Sequence, residues 1–195
     1  MEKQNDTRSQ ILTTGRRLTA KHGYTGVGLS ALLKEAGIPK GSFYHYFASK
    51  EAYGCALLNE FMAEYGLRLN ASLAHPDMDA RSRFLTYFEG WREKQLSPNP
   101  EDRCLVVKMA AEVADLSENM SSILQKGVSD IIAHLAQTLE QGEDEGTIAS
   151  LKDPRAVAEM IYYMWLGASL VASISHSDAA LNSAMDTTKA LVPAP

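Results

Sequence analysis

Cysteine is scarce: the 195 residues contain only two, Cys55 and Cys104, far apart in the chain. That excludes a disulfide scaffold, an iron–sulfur cluster and a multi-cysteine zinc site. The histidines His22, His45, His75, His134 and His176 do not fall at ligand spacing with acidic residues, so no metal and no other cofactor is expected. There is no GxSxG, no phosphate-binding P-loop and no dinucleotide-binding glycine motif, so the chain is not expected to be an enzyme. Sustained apolar–polar alternation is also missing, and no strand is expected. The polar start MEKQNDTRSQ leads into no apolar signal-like run, so a secretory signal is not expected, and a reducing cytoplasm is the expected compartment.

What is present is ordinary globular material, 45% hydrophobic and 22% charged, long enough to bury a core without cross-links. The net charge of −5 conceals an asymmetry: residues 1–50 carry a balance of +5 and the remainder −10. A basic first quarter on an acidic body implies two parts with different partners, and only the first suits phosphate. Apolar residues recur at spacings of three and four between the interior prolines. The expected fold is all-α, with helices near 7–22, 28–36, 40–46, 49–74, 79–96, 101–115, 119–141, 154–175 and 178–191. Thr7-Arg-Ser-Gln10 fits a capping box for the first of these. Asn99-Pro100 and Asp153-Pro154 supply an N-cap followed by a first-turn proline. The end, LVPAP, reads as a frayed tail.

The run VAEMIYYMWLGASLVASI, from Val157 to Ile174, contains one charge, Glu159. Its length is borderline for a membrane span, but it stands alone and has no flanking basic cluster. A helix that is apolar all round is otherwise buried. A dimer seam is the preferred expectation, with a core helix as the alternative; Gly167, Ala168 and Ser169 would allow close approach. Phe84, Tyr87, Phe88 and Trp91 recur at helical spacing, either as core or as the wall of an effector pocket.

Residues 28–47 read GLSALLKEAGIPKGSFYHYF. A short helix carries Leu29, Leu32, Leu33 and Ala36 on one face, Gly37 can end it, and Pro39 presets the next. This is helix–turn–helix spacing, whose second helix can enter a major groove. Lys40 and Lys50 flank that helix as phosphate partners, while Ser42, Tyr44, His45 and Tyr46 supply hydroxyls and an imidazole. Gly41 permits close backbone approach, and Phe43 and Phe47 should face the core.

Gly23-Tyr24, AGIPKGSFYHYF and Ser49-Lys50-Glu51 together resemble the N-terminal domain of the TetR family of bacterial repressors. The resemblance implies that Lys40–Phe47 is the recognition helix and that Lys50 contacts a phosphate. It also implies a DNA-binding domain over 1–50 and a helical ligand-binding and dimerisation domain over 51–195. Many relatives carry a Thr and an acid where this chain has Gly28 and Ala31, so the capping box of that helix is absent here. CLVVKMAAEVADLSENM and YMWLGASL further resemble electrophile-responsive repressors within the family, which implies that Cys104 is a sensing thiol.

The local chemistry leaves Cys104 open. Lys108 lies one turn on, Arg103 is adjacent, and a helix starting beside the thiol would favour the thiolate. Glu101 and Asp102 oppose this, and a buried inert cysteine is the alternative. Cys55 reads as structural. The expected function is that of a homodimeric repressor of a pseudo-palindromic double-stranded DNA operator, released by a small electrophile or oxidant at Cys104. Alternatives are relief by a reversible ligand in the helical domain, or an interaction module without DNA binding. A membrane partner is not expected.

Overall fold

The computed structural model describes residues 2–195, with side chains from Asp6 onward. Among the described residues the chain is entirely helical: α1 (Glu2–His22), α2 (Leu29–Ala36), α3 (Lys40–Tyr46), α4 (Lys50–Leu73), α5 (Ala80–Leu96), a 3-10 turn (Pro100–Asp102), α6 (Leu105–Ala114), α7 (Glu118–Asp144), α8 (Pro154–Ser175) and α9 (Ala179–Leu191). Two compact units form, one from residues up to Ala63 together with Pro98–Gln125, the other from Glu64–Ser97 and Lys126–Pro195.

Three details depart from the sequence reading. Thr7 does not cap α1, because the helix already starts at Glu2; the Gln10 amide instead donates to the Ala36 carbonyl at 3.0 Å, tying α1 to α2. The helix expected over 101–115 is broken. Asn99 caps a single 3-10 turn by accepting from the Glu101 N–H at 3.2 Å, and Arg103 is extended at φ −74°, ψ 157°. The chain then restarts as α6, with Cys104 in the N-cap position. LVPAP is not frayed at its start. Val192 is fully buried, its carbonyl accepts from Arg81 Nε at 2.9 Å, and the Pro193 carbonyl accepts from the Ala149 N–H at 3.0 Å.

In the first unit Ile11, Leu12, Leu32, Phe43, Leu57 and Met109 are buried to 2% exposure or less. Gly15 makes room for this core: a Cβ there would lie 1.6 Å from the buried Tyr53 hydroxyl. In the second unit the aromatic stripe is core except for Tyr87, which is half-buried. Phe84, Phe88, Trp91 and Trp165 are buried, with Phe88 and Trp165 ring centres 5.0 Å apart. The two indole N–H groups are satisfied, Trp91 donating to Ser169 Oγ at 3.0 Å and Trp165 to Thr188 Oγ1 at 2.9 Å.

Asp153 caps α8, accepting from the Ala156 N–H at 3.0 Å. The helix is long and apolar enough to cross a membrane by length and composition. One face, including Ala158, Ile161, Trp165 and Ser169, is packed into the second unit. Met160, Tyr163, Leu170, Val171 and Ile174 leave at least half of their surface exposed.

Candidate nucleic-acid interface and sensor thiol

α2 ends as its sequence dictates. Gly37 takes the left-handed conformation at φ 67°, which only glycine adopts without penalty, and the Ile38 N–H closes back on the Leu33 carbonyl at 2.9 Å. Pro39, extended, then aims α3. α2 itself starts at Gly28 without a side-chain cap. Arg17 of α1 and Glu35 of α2 pair at 2.6 Å across the surface.

α3 has two faces. Phe43 and Phe47 point inward, 5.3 Å apart, against Tyr53 of α4. Lys40, Gly41, Tyr44 and His45 are exposed, with Ser42 and Tyr46 half-buried beside them. The Tyr44 ring stands edge-on to Phe43 at 5.4 Å, so an exposed aromatic is held by the core beneath it. A Cβ on Gly41 would meet nothing within 4 Å, so internal packing does not require glycine there. Lys50 is half-buried at the first position of α4, and its ammonium lies 5.0 Å from the centre of the Tyr24 ring. The Tyr24 hydroxyl donates to the Lys50 carbonyl at 2.8 Å. Burial, with the nearby Cys55 and Glu51, pushes that phenol up to about 12, so it remains a donor across the physiological range.

Three contacts of this unit are not foreseen by the sequence, although Gly23 and Glu51 belong to the family pattern. Gly23 ends α1 at φ 75°, and a Cβ there would lie 2.1 Å from the Glu112 carboxylate. Glu112 Oε2 accepts from both the Thr25 N–H at 2.8 Å and the Thr25 hydroxyl at 2.7 Å. Glu51 Oε1 accepts from Ser117 Oγ at 2.6 Å and from Asn119 Nδ2 at 3.2 Å, and these bonds hold its carboxyl below the usual carboxylate range. Partners 66 to 87 positions apart carry no local signal.

Cys104 is partly exposed as a residue, while its sulfur is closely surrounded. Burial pushes the thiol up from its ordinary value. The backbone amides of Val107 and Val106, at the N-terminus of α6, pull it down without overcoming that, and without forming a capping hydrogen bond. The local sequence leaves the direction of this shift open; in the structure desolvation outweighs the pull of the helix end. Burial and the Glu51 charge likewise raise Cys55. Among the described residues no group of three or more potential metal ligands occurs.

The family model for tetR-family bacterial regulatory proteins matches residues 11–52, which span the second half of α1, α2, α3 and the start of α4, and a tetracyclin repressor-like C-terminal domain model matches residues 80–188. The chain belongs to the TetR family. It is therefore a DNA-binding transcriptional regulator and not an enzyme. Among TetR-family relatives, it is 42% identical over 192 residues to the HTH-type transcriptional repressor NemR of Escherichia coli K12, covering 98% of this chain and 96% of NemR. It is 28% identical over 165 residues to the transcriptional regulator AcuR of Cereibacter sphaeroides, covering 84% of this chain and 75% of AcuR. The crystal structure of E. coli NemR in its reduced form superposes with a TM-score of 0.92, covering 97% of this chain and 98% of NemR.

Proposed function

We propose that this TetR-family protein is a homodimeric repressor of a pseudo-palindromic operator, acting in the cytoplasm and released when a small electrophile modifies Cys104. Residues 1–50 engage DNA and 51–195 regulate and dimerise. The observation that carries the DNA reading is the outer face of α3, where polar and aromatic groups are exposed over the buried Phe43 and Phe47. Tyr44, His45, Tyr46 and Ser42 read base edges and sugar–phosphate, Gly41 admits close approach, and Lys40 and Lys50 neutralise phosphates. The exposed apolar face of α8 is the dimer seam rather than a membrane contact. Two copies then present two recognition helices, so half-sites should lie about 34–36 Å apart or a multiple of that.

The thiol reading is supported by the place of Cys104 at the start of α6, in the same unit as the recognition helix, and by the related NemR having a form described as reduced. Toward a Michael acceptor the chemistry is an addition. The Cys104 sulfur bonds to the β-carbon, the electron pair passes to the carbonyl, and the α-carbon takes up a proton in place of the one lost from sulfur. Nothing is oxidised and nothing leaves. A second reading, relief by a reversible ligand, is favoured by Gln95. Its Oε1 is buried beside Trp91 and Ser169 with no hydrogen-bond partner, as a site awaiting a donor would be.

The test is operator footprinting with and without N-ethylmaleimide. Wild type and Cys55→Ser should release DNA, and Cys104→Ser should stay bound. Release of Cys104→Ser at the wild-type dose would remove the thiol switch and leave the reversible-ligand reading.

A further inference from the structure

The loop between α1 and α2 decides where the helix–turn–helix sits on α1, and it is held from outside itself. Gly23 opens it, and the notch left by its missing side chain receives the Glu112 carboxylate from α6. Both donors of Thr25 end on one oxygen of that carboxylate. Tyr24 is bonded to the Lys50 carbonyl, and Val27 closes on the Tyr24 carbonyl at 3.3 Å before α2 begins. At its far end α6 is fixed again. Ser117 and Asn119 donate to Glu51, and Met120 packs so closely against Gly54 that a Cβ there would come within 2.8 Å of it. At its near end stands Cys104, just after a 3-10 turn that packs on α1.

We infer that Glu112 is a latch: its two hydrogen bonds to Thr25 hold the DNA-binding helices in their operator-binding arrangement, and their loss is how a change at the Cys104 end of α6 lowers DNA affinity. This rests on the thiol reading above for its trigger, but not for the latch itself. α6 has only ten residues, from Leu105 to Ala114, and Leu105, Val106, Met109 and Val113 bury one side of it. A short packed helix moves as a rod, so added volume at its start is expressed at Glu112, two turns on. The two hydrogen bonds of the latch lie at the surface. Thr25 is exposed and Glu112 only half-buried, so water can replace both bonds and the cost of opening stays small enough for an adduct to meet.

The experiment uses the full-length protein and a labelled duplex carrying the site that it selects from random DNA. Operator affinity is measured for wild type, Glu112→Ala, Glu112→Gln and Thr25→Val, before and after N-ethylmaleimide, with Cys104 adduct formation followed by mass spectrometry. Glu112→Ala should bind about tenfold more weakly. Glu112→Gln should bind as wild type, because its amide oxygen can accept from both Thr25 donors. Thr25→Val, which keeps the amide donor and loses the hydroxyl, should fall between them and stands in should Glu112→Ala fail to fold. Modifying Cys104 in Glu112→Ala should weaken binding by less than about twofold, because the contact it would break is already gone.

Wild-type affinity in Glu112→Ala and in Thr25→Val would overturn the latch. Weakened binding in Glu112→Ala with the full wild-type response to modification would leave Glu112 a structural brace and overturn its role in transmission. Complete modification of Cys104 in wild type with no loss of operator binding would sink the thiol trigger, while the affinities of the unmodified variants would still decide the latch.

Discussion

A thiol attacks through its thiolate, so the ionised fraction limits how fast Cys104 meets an electrophile. Burial lifts this thiol above the ordinary 9.0, against the pull of two backbone amides. The rate constant for N-ethylmaleimide addition should therefore climb about tenfold per unit from about pH 6 to pH 9 without levelling. A plateau near pH 7 would mean that a thiolate is already formed. A tuning role for Lys108 predicts slower addition in Lys108→Met, and an unchanged profile would remove that role. The same shift links stability to pH. The folded chain holds the Cys104 proton more tightly than the unfolded chain, so its contribution is complete below the unfolded value and is lost as pH rises through the folded one. Gly23 is a second sensitive residue. Gly23→Ala would place a side chain at φ 75° and push against Glu112. The left-handed backbone alone should cost about 1–2 kcal/mol, read as a lower melting midpoint.

α3 is where sequence and structure meet most closely. Gly37, Pro39, Phe43 and Phe47 lie within eleven positions and act through local backbone rules and a single apolar face, so the turn and the exposed side of the helix were readable. The start of α6 was not. Asn99-Pro100 is a genuine start signal, but the helix it opens stops after one turn and the chain restarts at Leu105. Cys104 has none of the side-chain chemistry that marks an N-cap, which hid the restart. At this scale the roles proposed for α3 and the start of α4 separate by measurement. Lys50→Ala should weaken binding evenly across sequences and lower the salt slope by roughly one phosphate contact. Substitutions at Ser42 or His45 should alter sequence preference instead. An unchanged slope in Lys50→Ala would remove its phosphate role and leave its contact with Tyr24 as its purpose. The α9 tail was also hidden, because it is held through its own backbone carbonyls, which accept from Arg81 Nε and the Ala149 N–H, rather than through a side-chain pattern. Removing residues 192–195 exposes the Val192 site and should cost about 1.5–3 kcal/mol, read by thermal or urea unfolding.

The proposed dimer seam would use the face of α8 that one chain leaves bare. A Cβ on Gly167 would meet nothing within 4 Å, so Gly167→Arg is accommodated by the isolated chain, and a change in sedimentation would report the second copy. The variant should sediment as a monomer with an unchanged helical spectrum. A dimer that survives it places the seam elsewhere. The all-round apolar run is legible as a helix needing cover, and in the structure one side is packed into the core while the other is exposed. What no single stretch displayed is the pairing of distant residues: Glu112 with Thr25, Glu51 with Ser117, Arg81 with Val192. Each joins groups that are common on any surface, and only the fold makes them neighbours.

The unit that carries α3 is interrupted in sequence, closing only with Pro98–Gln125. On a ribosome this has a consequence in time. Residues up to Ala63 emerge first, with Val113, Met109 and Met120, which complete their core, still unmade. At about 5–20 residues per second the wait is roughly 3–12 s, during which the nascent DNA-binding helices lack α6. A fragment ending at Ala63 is that nascent state made permanent, and swapping the first 50 residues for those of another regulator would put a new loop against an old Glu112. The first unit of the newborn protein can close its core only once α6 has been made.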